Sequence, residues 1–443
     1  YDVFDEKRYF RPAKSTSILN FNCDGNISKI GITICEDLWV EEDIQDQRIE
    51  GADPVNQLLS KQVDLLINLS ASPFSVSKDS LRKQLAVKAA KKLNCPVIYL
   101  NQVGANDELI FDGSSFVINP NGKIILSLSR CNESLEIWDP KSLTKDTSNP
   151  LVSSQEKLFR ALVLGVRDYA RKCNFNTALI GLSGGIDSAL VATIASAALG
   201  GEKVSSILMP SPWSSTHSIK DALSLAQRLR VKTQIIPISP LMQSFNFALK
   251  ETFGENPKDI TAENLQSRIR GTLLMAIANQ QSHLLLSTGN KSELAVGYCT
   301  LYGDMNGGLS VIGDLYKTSV FDLCKWIDSE EAYECRKEIG LIADGKIIGL
   351  NIRSKAPSAE LSPNQLDTDS LPNYELLDPI LKALIEERLN TRDLIKAGYE
   401  KTLIKKIQTL LKNAEFKRKQ APPLLKVSNQ AFGSGWRVPI AAK

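Results

Sequence analysis

Apolar residues in the first part of the chain fall into short runs separated by polar turns, which is the pattern of buried strands. Three of these runs are KIGITIC (29–35), VDLLINLS (63–70) and CPVIYLNQV (95–103). SLRKQLAVKAAKKLN (80–94) repeats its apolar residues at helical spacing, and SSFVINPNGKIILSLS (114–129) predicts a hairpin that turns at Asn-Pro-Asn-Gly. We therefore expect a first α/β domain over residues 1–130.

The pattern changes after CNESLEIWDPKSLTKDTSNPLVSS (131–154), which has no periodicity and is expected to be a linker. From residue 155 onward, strand-like runs alternate with helix-length segments. The runs are TALIGL (177–182), KVSSILMP (203–210), KTQIIPIS (232–239) and SHLLLSTG (282–289). This alternation predicts a doubly wound parallel sheet in a second domain over residues 155–443. Ligands bind such sheets beyond the carboxyl ends of the strands, which lie near residues 183–188, 210–216 and 287–293.

Composition excludes several classes of protein. The two histidines, His217 and His283, argue against a His-rich metal site and a His-based catalytic triad. Eight cysteines without a CxxC pair argue against a zinc ribbon and a disulfide scaffold, and favour a reducing compartment. A formal charge of +3 over 443 residues gives no support to a nucleic-acid partner. No apolar run reaches the roughly 18 residues of a membrane span, and no signal peptide is visible, so we expect a cytoplasmic protein without a membrane partner.

The string SGGIDS (183–188) stands between a predicted strand and a predicted helix. Its two glycines allow the backbone to approach an anion closely, and the amides of the helix start point at that anion. Ser183 and Ser188 add hydroxyl donors, whereas Asp187 is explained by a Mg²⁺ ion that bridges phosphate oxygens. Ile186 stands where a Walker A loop would carry its lysine. The string resembles the pyrophosphatase-type loop of ATP enzymes that break the bond between the α- and β-phosphates.

Further candidates lie in ENLQSRIRGTLLMAIANQQSHLLLSTGNKSELAVGYCTLYGDMNGG (263–308). Arg268 and Arg270 fall on a predicted amphipathic helix, where a solvated position is an equal alternative for Arg270. Glu293 falls in the first turn of a helix, where a lone acidic residue is ordinarily explained by the helix dipole. If Glu293 faced Asp187, the two carboxylates would instead form an oxygen-rich Mg²⁺ site.

These segments resemble the glutamine-dependent NAD⁺ synthetase family over nearly the whole chain. The resemblance rests on LSGGIDSAL, ENLQSRIRG, STGNKSELAVGYCTLYGDMNGG, KAPSAELSPNQLDTDSLPNYELLD and EFKRKQAPPLLKVSNQAFGSGWRVPI. It implies a nitrilase-like α-β-β-α sandwich followed by an adenine-nucleotide α-hydrolase-like domain with a doubly wound parallel sheet. It also implies that MgATP adenylates nicotinic acid adenine dinucleotide, and that ammonia then displaces AMP to give NAD⁺.

The resemblance further implies roles for individual residues. The ATP and pyrophosphate ligands would be Ser183, Gly184, Gly185, Asp187, Ser188, Thr288 and Lys317. The dinucleotide and the loop that closes over it would involve Arg268, Asp304, Lys355 and Ser358, and Mg²⁺ would be bound by Asp187 and Glu293. The family's synthetase domain also forms dimers, so we expect a homo-oligomer.

The first domain carries its own candidate nucleophile. GITICEDLW (31–39) places Cys35 directly after an apolar strand, where a buried structural thiol is the ordinary explanation. Together with NLSASPF (68–74) and NQVGANDELIFDGSSF (101–116), it resembles the nucleophile of nitrilase-type amidases. The resemblance implies a thioester mechanism in which a Glu is the base and a Lys stabilises the oxyanion, and glutamine hydrolysis that supplies ammonia.

The family's Glu and Lys precede the segment YDVFDEKRYF, and this sequence begins at Tyr1. Lys14 and Glu36 do not occupy the matching positions. We therefore expect the sequence to be part of a longer protein, in which the opening part of the amidase fold lies upstream. Taken alone, the chain is expected to use free ammonia and to hydrolyse glutamine poorly.

Two other interpretations remain open at this point. One is a different amidoligase with the same pyrophosphate loop, such as GMP synthetase or a tRNA-modifying enzyme. The other is a catalytically silent fragment that binds nucleotide without releasing pyrophosphate. The basic run KNAEFKRKQ (412–420) could favour a tRNA enzyme, but it is more simply a solvated helix end.

Overall fold

The computed structural model describes residues 8–11, 13–23, 26–39, 53–140, 152–433, 435–436 and 438–441. The chain divides into two compact units, Tyr1–Ala161 and Leu162–Lys443. This division falls inside a long helix, α3 (Ser154–Lys172), whereas the sequence placed the start of the second domain at the beginning of that helix. The described part of the predicted linker, residues 131–140, has no regular secondary structure and is mostly exposed; residues 141–151 lie outside the described residues.

The first unit contains eight described strands and two helices before α3. The strands are β1 (Ser17–Cys23), β2 (Asn26–Ile34), β3 (Leu65–Ser70), β4 (Val97–Asn101), β5 (Val103–Asn106), β6 (Leu109–Asp112), β7 (Phe116–Ile118) and β8 (Ile124–Ser127). The helices are α1 (Pro54–Leu59) and α2 (Lys78–Leu93), and a short 3-10 helix covers Cys35–Leu38. The apolar runs predicted as strands and the predicted helix over residues 80–94 therefore form as expected.

Six of these strands form one mixed sheet in the order β1-β2-β3-β4-β7-β8. Strands β2, β3 and β4 are parallel, with Ile32 opposite Ile67 and Ile67 opposite Ile98. The predicted hairpin is confirmed, because β7 and β8 pair in antiparallel orientation. The core of the unit contains Leu58, Leu66 and other apolar side chains with little or no exposed surface.

The second unit alternates strands and helices. The strands are β9 (Ala178–Gly181), β10 (Val204–Leu208), β11 (Lys232–Ile235), β12 (Leu284–Ser287) and β13 (Leu309–Ser310). The helices are α4 (Ile186–Leu199), α5 (Thr216–Leu229), α6 (Ser239–Phe253), α7 (Asp259–Gln281), α8 (Lys291–Val296), α9 (Lys317–Ile327), α10 (Tyr333–Glu338), α11 (Leu350–Ser354), α12 (Tyr374–Ile385), α13 (Thr391–Lys396), α14 (Lys401–Asn413) and α15 (Glu415–Arg418).

The five strands of this unit form one parallel sheet in the order β11-β10-β9-β12-β13. The chain builds the sheet outward from β9 in one direction and then in the other, so β9 marks the topological switch point where ligands bind in such folds. Helix α4 follows β9 and is buried on nearly every face from Ile186 to Ser196. A helix buried all round needs no polar face, which explains the almost uninterrupted apolar sequence after the SGGIDS loop.

Within the part of the chain that the structure describes, no helix combines the length and the apolar character that crossing a membrane requires.

Candidate functional site

The SGGIDS loop joins β9 to α4 and is held by its own two serines. The Ser183 N–H donates to Ser188 Oγ at 3.3 Å, and the two hydroxyl oxygens are 3.0 Å apart. Ser188 Oγ donates to the Gly185 carbonyl at 3.0 Å, and the Gly185 N–H donates to Ser183 Oγ at 3.2 Å. Gly185 is the N-cap residue of α4, so the first amides of this helix open towards the loop. The loop therefore has the hydroxyl and amide donors that an anion requires.

Gly184 is required by the backbone of this loop. Its φ of +81° lies in the left-handed region, and a Cβ atom built there would lie 2.2 Å from the carbonyl oxygen of Ser218. The absence of a side chain thus lets the loop pack directly against the beginning of α5.

Two carboxylates face each other beyond the ends of β9 and β12. Asn290 caps α8, because its side chain accepts a hydrogen bond from the Glu293 N–H at 3.0 Å and Glu293 Oε2 accepts one from the Asn290 N–H at 3.2 Å. The same asparagine reaches across the site, where its Nδ2 donates to Asp187 Oδ1 at 3.0 Å. The capping box therefore fixes Glu293 and orients Asp187 at the same time.

Lys317 lies between the two carboxylates. Its Nζ is 2.7 Å from Asp187 Oδ2 and 3.2 Å from Glu293 Oε1, and its side chain is only 3% exposed. Burial alone would lower the pKa of Lys317, but the charges of Asp187 and Glu293 raise it above its usual range. The lysine is therefore a fixed positive charge beside the SGGIDS loop.

Lys317 is itself positioned by contacts from outside its helix. It is the first residue of α9, whose N-cap residue makes no side-chain hydrogen bond. Instead, the Lys317 N–H donates to Ser292 Oγ at 2.9 Å, and the Thr318 N–H donates to Asp378 Oδ2 at 2.8 Å. Asp378, which lies on α12, also accepts a hydrogen bond of 2.6 Å from Ser292. A carboxylate from a distant helix thus takes the place of a local cap.

The residues present fit a Mg²⁺ ion. Asp187 and Glu293 both direct oxygens at the Lys317 ammonium group, so a single point of positive charge can satisfy both carboxylates. Mg²⁺ is bound by oxygen atoms, commonly from one or two carboxylates together with substrate phosphates. Among the described residues there is no cluster of three or more His, Cys, Asp or Glu side chains that would hold a metal by protein ligands alone. Asp187 and Glu293 would therefore bind Mg²⁺ together with phosphate oxygens of the substrate, which complete the set of ligands.

Helix α7 forms a second wall. A Cβ atom on Gly271 would lie 2.5 Å from Asn306 Nδ2 and 2.8 Å from the Tyr302 carbonyl oxygen, so glycine permits the close approach of α7 to the loop after α8. Across this contact, Ser267 Oγ donates to Asp304 Oδ2 at 3.1 Å. Burial raises the pKa of Asp304, although hydrogen bonds from Thr300 and Ser267 oppose this shift.

The segment that begins at Lys355 closes the remaining side. Lys355 Nζ is 2.7 Å from Glu360 Oε1 and also donates to Ser218 Oγ, while Ser218 Oγ donates to the same carboxylate oxygen at 2.7 Å. Burial alone would raise the pKa of Glu360, but the hydrogen bonds from Lys355 and Ser218 lower it below its usual value. Ser358 Oγ accepts a hydrogen bond from the Glu360 N–H at 3.1 Å and so fixes the turn.

These walls enclose a cavity of about 310 Å³. Ten of the residues predicted from the sequence line it: Ser183, Gly185, Asp187, Ser188, Thr288, Glu293, Asp304, Lys317, Lys355 and Ser358. Gly184 does not line the cavity, and its close contact is with the Ser218 carbonyl group of α5. Arg268 lies outside the lining, where it is exposed and its Nε donates to the Leu301 carbonyl at 3.2 Å. Its predicted place at the dinucleotide stays a prediction.

Several polar residues of the site were not predicted from the sequence. Asn290 could have been found, because Asn-x-x-Glu at a predicted helix start is the signature of a capping box. Arg270 lines the cavity, although the sequence left it undecided between the site and solvent. Glu360 and Asp378 carried no local signal, because their roles depend on partners that are distant in sequence.

The candidate nucleophile of the first unit lies at the carboxyl edge of its parallel strands. Cys35 immediately follows β2 and has a φ of +47°, a left-handed conformation that is uncommon for cysteine and typical of strained functional turns. The buried Asn68 on β3 donates from Nδ2 to the Cys35 carbonyl at 3.3 Å and to Thr33 Oγ1 at 3.1 Å. Ser70 Oγ in turn donates to Asn68 Oδ1 at 2.6 Å. The thiol therefore stands on a turn that buried polar contacts hold in place.

The pKa of Glu293 leads to a pH-dependence prediction. Burial, with a further contribution from Asp187, raises this pKa from its ordinary value of 4.5 to about 7, although Lys317 opposes the shift. A raised pKa means that the protonated Glu293 carboxyl contributes to the free energy of unfolding. This contribution is fully present below pH 4.5 and is lost as the pH rises through about 7. We expect Glu293→Gln, which remains neutral, to gain free energy of unfolding relative to the unaltered protein as the pH is raised from 5 to 8.

Urea titrations at several pH values would measure this difference. Glu387→Gln, an exposed carboxylate outside the cavity, is the matched control and should show no such trend. A Glu293→Gln difference that stays constant with pH would contradict a raised pKa.

Comparisons with known proteins point to the same two units. The sequence profile of the NAD synthase family matches residues 158–421, and that of the carbon-nitrogen hydrolase family matches residues 2–139. The glutamine-dependent NAD(+) synthetase of Synechocystis sp. is 53% identical over 447 aligned residues, which cover 100% of this chain and 77% of that protein. The enzyme of the same name from Thermotoga maritima is 41% identical, and the alignment covers 99% of this chain and 78% of that protein.

Solved structures agree with these matches. The structure of the glutamine-dependent NAD+ synthetase from Acinetobacter baumannii in complex with ADP has a TM-score of 0.71 at 39% sequence identity, and the match covers 99% of this chain and 77% of that one. A second structure, from Cytophaga hutchinsonii, has a TM-score of 0.72 at 20% identity and supports the fold alone.

Proposed function

The chain belongs to the glutamine-dependent NAD⁺ synthetase family, and from this premise we propose how its residues carry out the reaction. The enzyme is a carbon–nitrogen ligase that amidates nicotinic acid adenine dinucleotide to NAD⁺ at the expense of ATP. The observation that carries the assignment of the site is the cavity in which the SGGIDS loop, two carboxylates and Lys317 meet.

In the first step, a carboxylate oxygen of the nicotinate attacks the α-phosphorus of ATP. The bond from the α-phosphorus to the oxygen that bridges to the β-phosphate breaks, and pyrophosphate leaves. The hydroxyls of Ser183 and Ser188 and the first amides of α4 bind the pyrophosphate, while Lys317 and Thr288 contact the ATP phosphates. The protein supplies no nucleophile, so positioning and preorganised charge carry the catalysis.

A Mg²⁺ ion bound by Asp187 and Glu293 would neutralise charge that develops on the phosphate oxygens. Asp187 and Glu293 hold oxygens towards the phosphates, and Asn290 keeps both carboxylates in that orientation. Lys317 complements the same charge from the side of α9.

In the second step, the nitrogen of ammonia attacks the carbonyl carbon of the adenylated dinucleotide. The bond from this carbon to the phosphate oxygen breaks, AMP leaves, and the nitrogen loses a proton to give the amide. Asp304 is assigned to the dinucleotide, and the segment with Lys355 and Ser358 is assigned to closing the site over the intermediate. Arg268, which lies outside the cavity lining, is assigned to the dinucleotide by the family resemblance alone. Exclusion of water by that segment would protect the adenylate from hydrolysis.

Ammonia would come from glutamine through a thioester on Cys35, whose backbone is held in a strained turn by Asn68. We expect the chain to release pyrophosphate and to form NAD⁺ from ATP, the dinucleotide and ammonium chloride. We expect the chain to form NAD⁺ only slowly from glutamine, and in Cys35→Ala this slow rate should fall to background. Formation from ammonium should stay within about twofold of its original rate, because the synthetase site does not use this thiol.

Cys173→Ala, which removes an exposed free thiol of the second unit, is the matched control. A diazoketone analogue of glutamine gives a readout that does not need turnover, because it should alkylate Cys35 and leave Cys173 unmodified in a peptide mass map. Ammonium-dependent activity that disappears in Cys35→Ala, or alkylation that bypasses Cys35, would contradict this role. A folded chain that binds ATP without forming either product would favour a silent nucleotide-binding protein instead.

The homo-oligomer and the cytoplasmic location remain predictions from the sequence.

A further inference from the structure

Three cationic side chains line the cavity: Lys317, Lys355 and Arg270. The first two already have carboxylate partners. Lys317 contacts two carboxylates within 3.2 Å, and Lys355 Nζ is 2.7 Å from Glu360 Oε1. For these two lysines, an incoming anion would have to compete with a carboxylate that is already present.

Arg270 differs from both lysines. Its Nε donates to the carbonyl oxygen of Met209 at 3.1 Å. Over the described ranges, Nη1 and Nη2 donate no hydrogen bond, and no carboxylate lies within 4.0 Å of the guanidinium. The two terminal nitrogens, which supply four of the five N–H donors of the group, are thus available to a ligand.

The charge of Arg270 is retained although the side chain is partly buried. Burial lowers the pKa of the guanidinium to about 10, and the charge of Glu360 opposes that shift. The side chain therefore remains protonated at neutral pH. Arg270 is partly buried, and a partly buried charge with no carboxylate in contact is unfavourable. Its presence in the cavity therefore indicates that a negative group pairs with it when substrate is bound.

The position of the guanidinium is also fixed. Met209 directly follows β10, so the carbonyl that orients Arg270 belongs to the carboxyl edge of the sheet beside the SGGIDS loop. On the other side, Gly271 lets α7 pack against the loop that carries Asp304. A planar group that is anchored through Nε presents its remaining nitrogens as a fork, which suits two oxygens of one phosphate or carboxylate.

We propose that Arg270 is a substrate-binding residue whose terminal nitrogens bind an oxyanion at the reacting centre. This assignment rests on the proposed function and adds a residue to it. Two groups of the substrates have the required chemistry: the α-phosphoryl group of ATP and the nicotinate carboxylate that attacks it. In the proposed function, the hydroxyls and amides of the SGGIDS loop bind the β- and γ-phosphates of ATP, so these phosphates do not require Arg270.

The test compares Arg270→Gln and Arg270→Lys with Arg392→Gln, a matched control on an exposed position of α13. Isothermal titration would measure the binding of α,β-methylene ATP and, separately, of nicotinic acid adenine dinucleotide. We expect Arg270→Gln to weaken one of the two ligands, or to lower kcat, by about 10- to 100-fold, because a charge-assisted bidentate contact is lost. Arg270→Lys should recover only part of this loss, since lysine keeps the charge but not the planar fork.

The ligand that loses affinity identifies the oxyanion. Weaker binding of α,β-methylene ATP indicates the phosphoryl group, and weaker binding of the dinucleotide indicates the carboxylate. A fall in kcat with both affinities unchanged means that the contact forms in the transition state. Each of these results supports the assignment if circular dichroism shows the variant to be folded.

Chemical rescue separates binding from a structural role. In Arg270→Ala, added guanidinium chloride at millimolar concentrations should restore part of the lost affinity or rate, whereas sodium chloride at equal ionic strength should not. Arg270→Gln with unchanged affinities and unchanged kcat, or an unrescued Arg270→Ala that loses thermal stability, would overturn the proposal. Neither titration depends on turnover, so the two together test the assignment even if the protein forms no NAD⁺.

Discussion

Asp187→Asn is expected to lower ammonium-dependent NAD⁺ formation by about a thousandfold, the upper end of the effect of removing one preorganised charge contact from a closed site. Asp187 Oδ2 is 2.7 Å from Lys317 Nζ, and its Oδ1 accepts a hydrogen bond of 3.0 Å from Asn290. The amide that replaces the carboxylate is neutral, so it supplies no negative charge for Mg²⁺. Of the two carboxylates that contact Lys317, only that of Glu293 remains. Both losses act on the phosphoryl-transfer step.

Initial rates of pyrophosphate release at saturating ATP and Mg²⁺ would measure this effect. Asp322→Asn, which lies on the exposed side of the helix that carries Lys317, changes the net charge equally and should leave the rate unchanged. A variant at position 187 that retains a tenth of the original rate would be incompatible with a central role for this carboxylate.

Gly184→Ala is expected to be the most damaging change to the loop itself. The new Cβ atom would lie 2.2 Å from the Ser218 carbonyl oxygen and 2.9 Å from its carbonyl carbon, at a φ of +81°. Neither the loop nor the beginning of α5 can relax by rotating a side chain, because the clash is with backbone. We expect a loss of about 3 kcal/mol or more in the free energy of unfolding, together with loss of ATP binding.

Gly254→Ala provides a matched control for this prediction. Gly254 has a similar φ of +73°, but no atom lies within 4 Å of the position that its Cβ would occupy. Only the cost of the left-handed backbone remains there, which is about 1 kcal/mol. Denaturant titrations would measure the free energy of unfolding of both variants. The difference between them gives the cost of the clash with Ser218, apart from the cost of the left-handed backbone that both share. Equal destabilisation of the two variants would show that the contact with Ser218 is unimportant.

Much of the fold could be read from the sequence because its signals are local. Alternation of apolar runs with turns predicted the strands of both units, and the position of SGGIDS between a strand and a helix predicted the loop that now connects β9 to α4. Cys35 was likewise expected directly after a strand, which is where it lies. In each case neighbouring residues decide the conformation.

The basic run at 412–420 shows how far local reasoning reaches. Lys412 and Lys419 are exposed, as expected of a solvated helix end. Arg418 differs, because it is 8% exposed and forms an ion pair of 2.8 Å with Glu415, which is 1% exposed. Arg418 Nη1 also donates to the carbonyls of Leu294 and Ala295 near the end of α8. A basic run in a sequence is ordinarily interpreted as facing water. The run itself does not reveal that carbonyl groups at the end of another helix, distant in the chain, will accept hydrogen bonds from it.

The sequence by itself determined the class of both units, the position of the SGGIDS loop between a strand and a helix, and the residue types that could do the chemistry, since periodicity and short motifs act over a few residues. Only the tertiary structure decided which side chains meet. Lys317 and Asp187 are 130 residues apart in the chain, and Asn290 and Asp187 are 103 residues apart. It also placed Arg270 in the cavity lining and Arg268 outside it, although both belong to one helix. These contacts depend on which parallel strands are neighbours in the sheet, because the loops at their carboxyl ends then lie side by side. They also depend on how closely a glycine lets two elements approach. The residues next to each side chain in the sequence do not determine either of these.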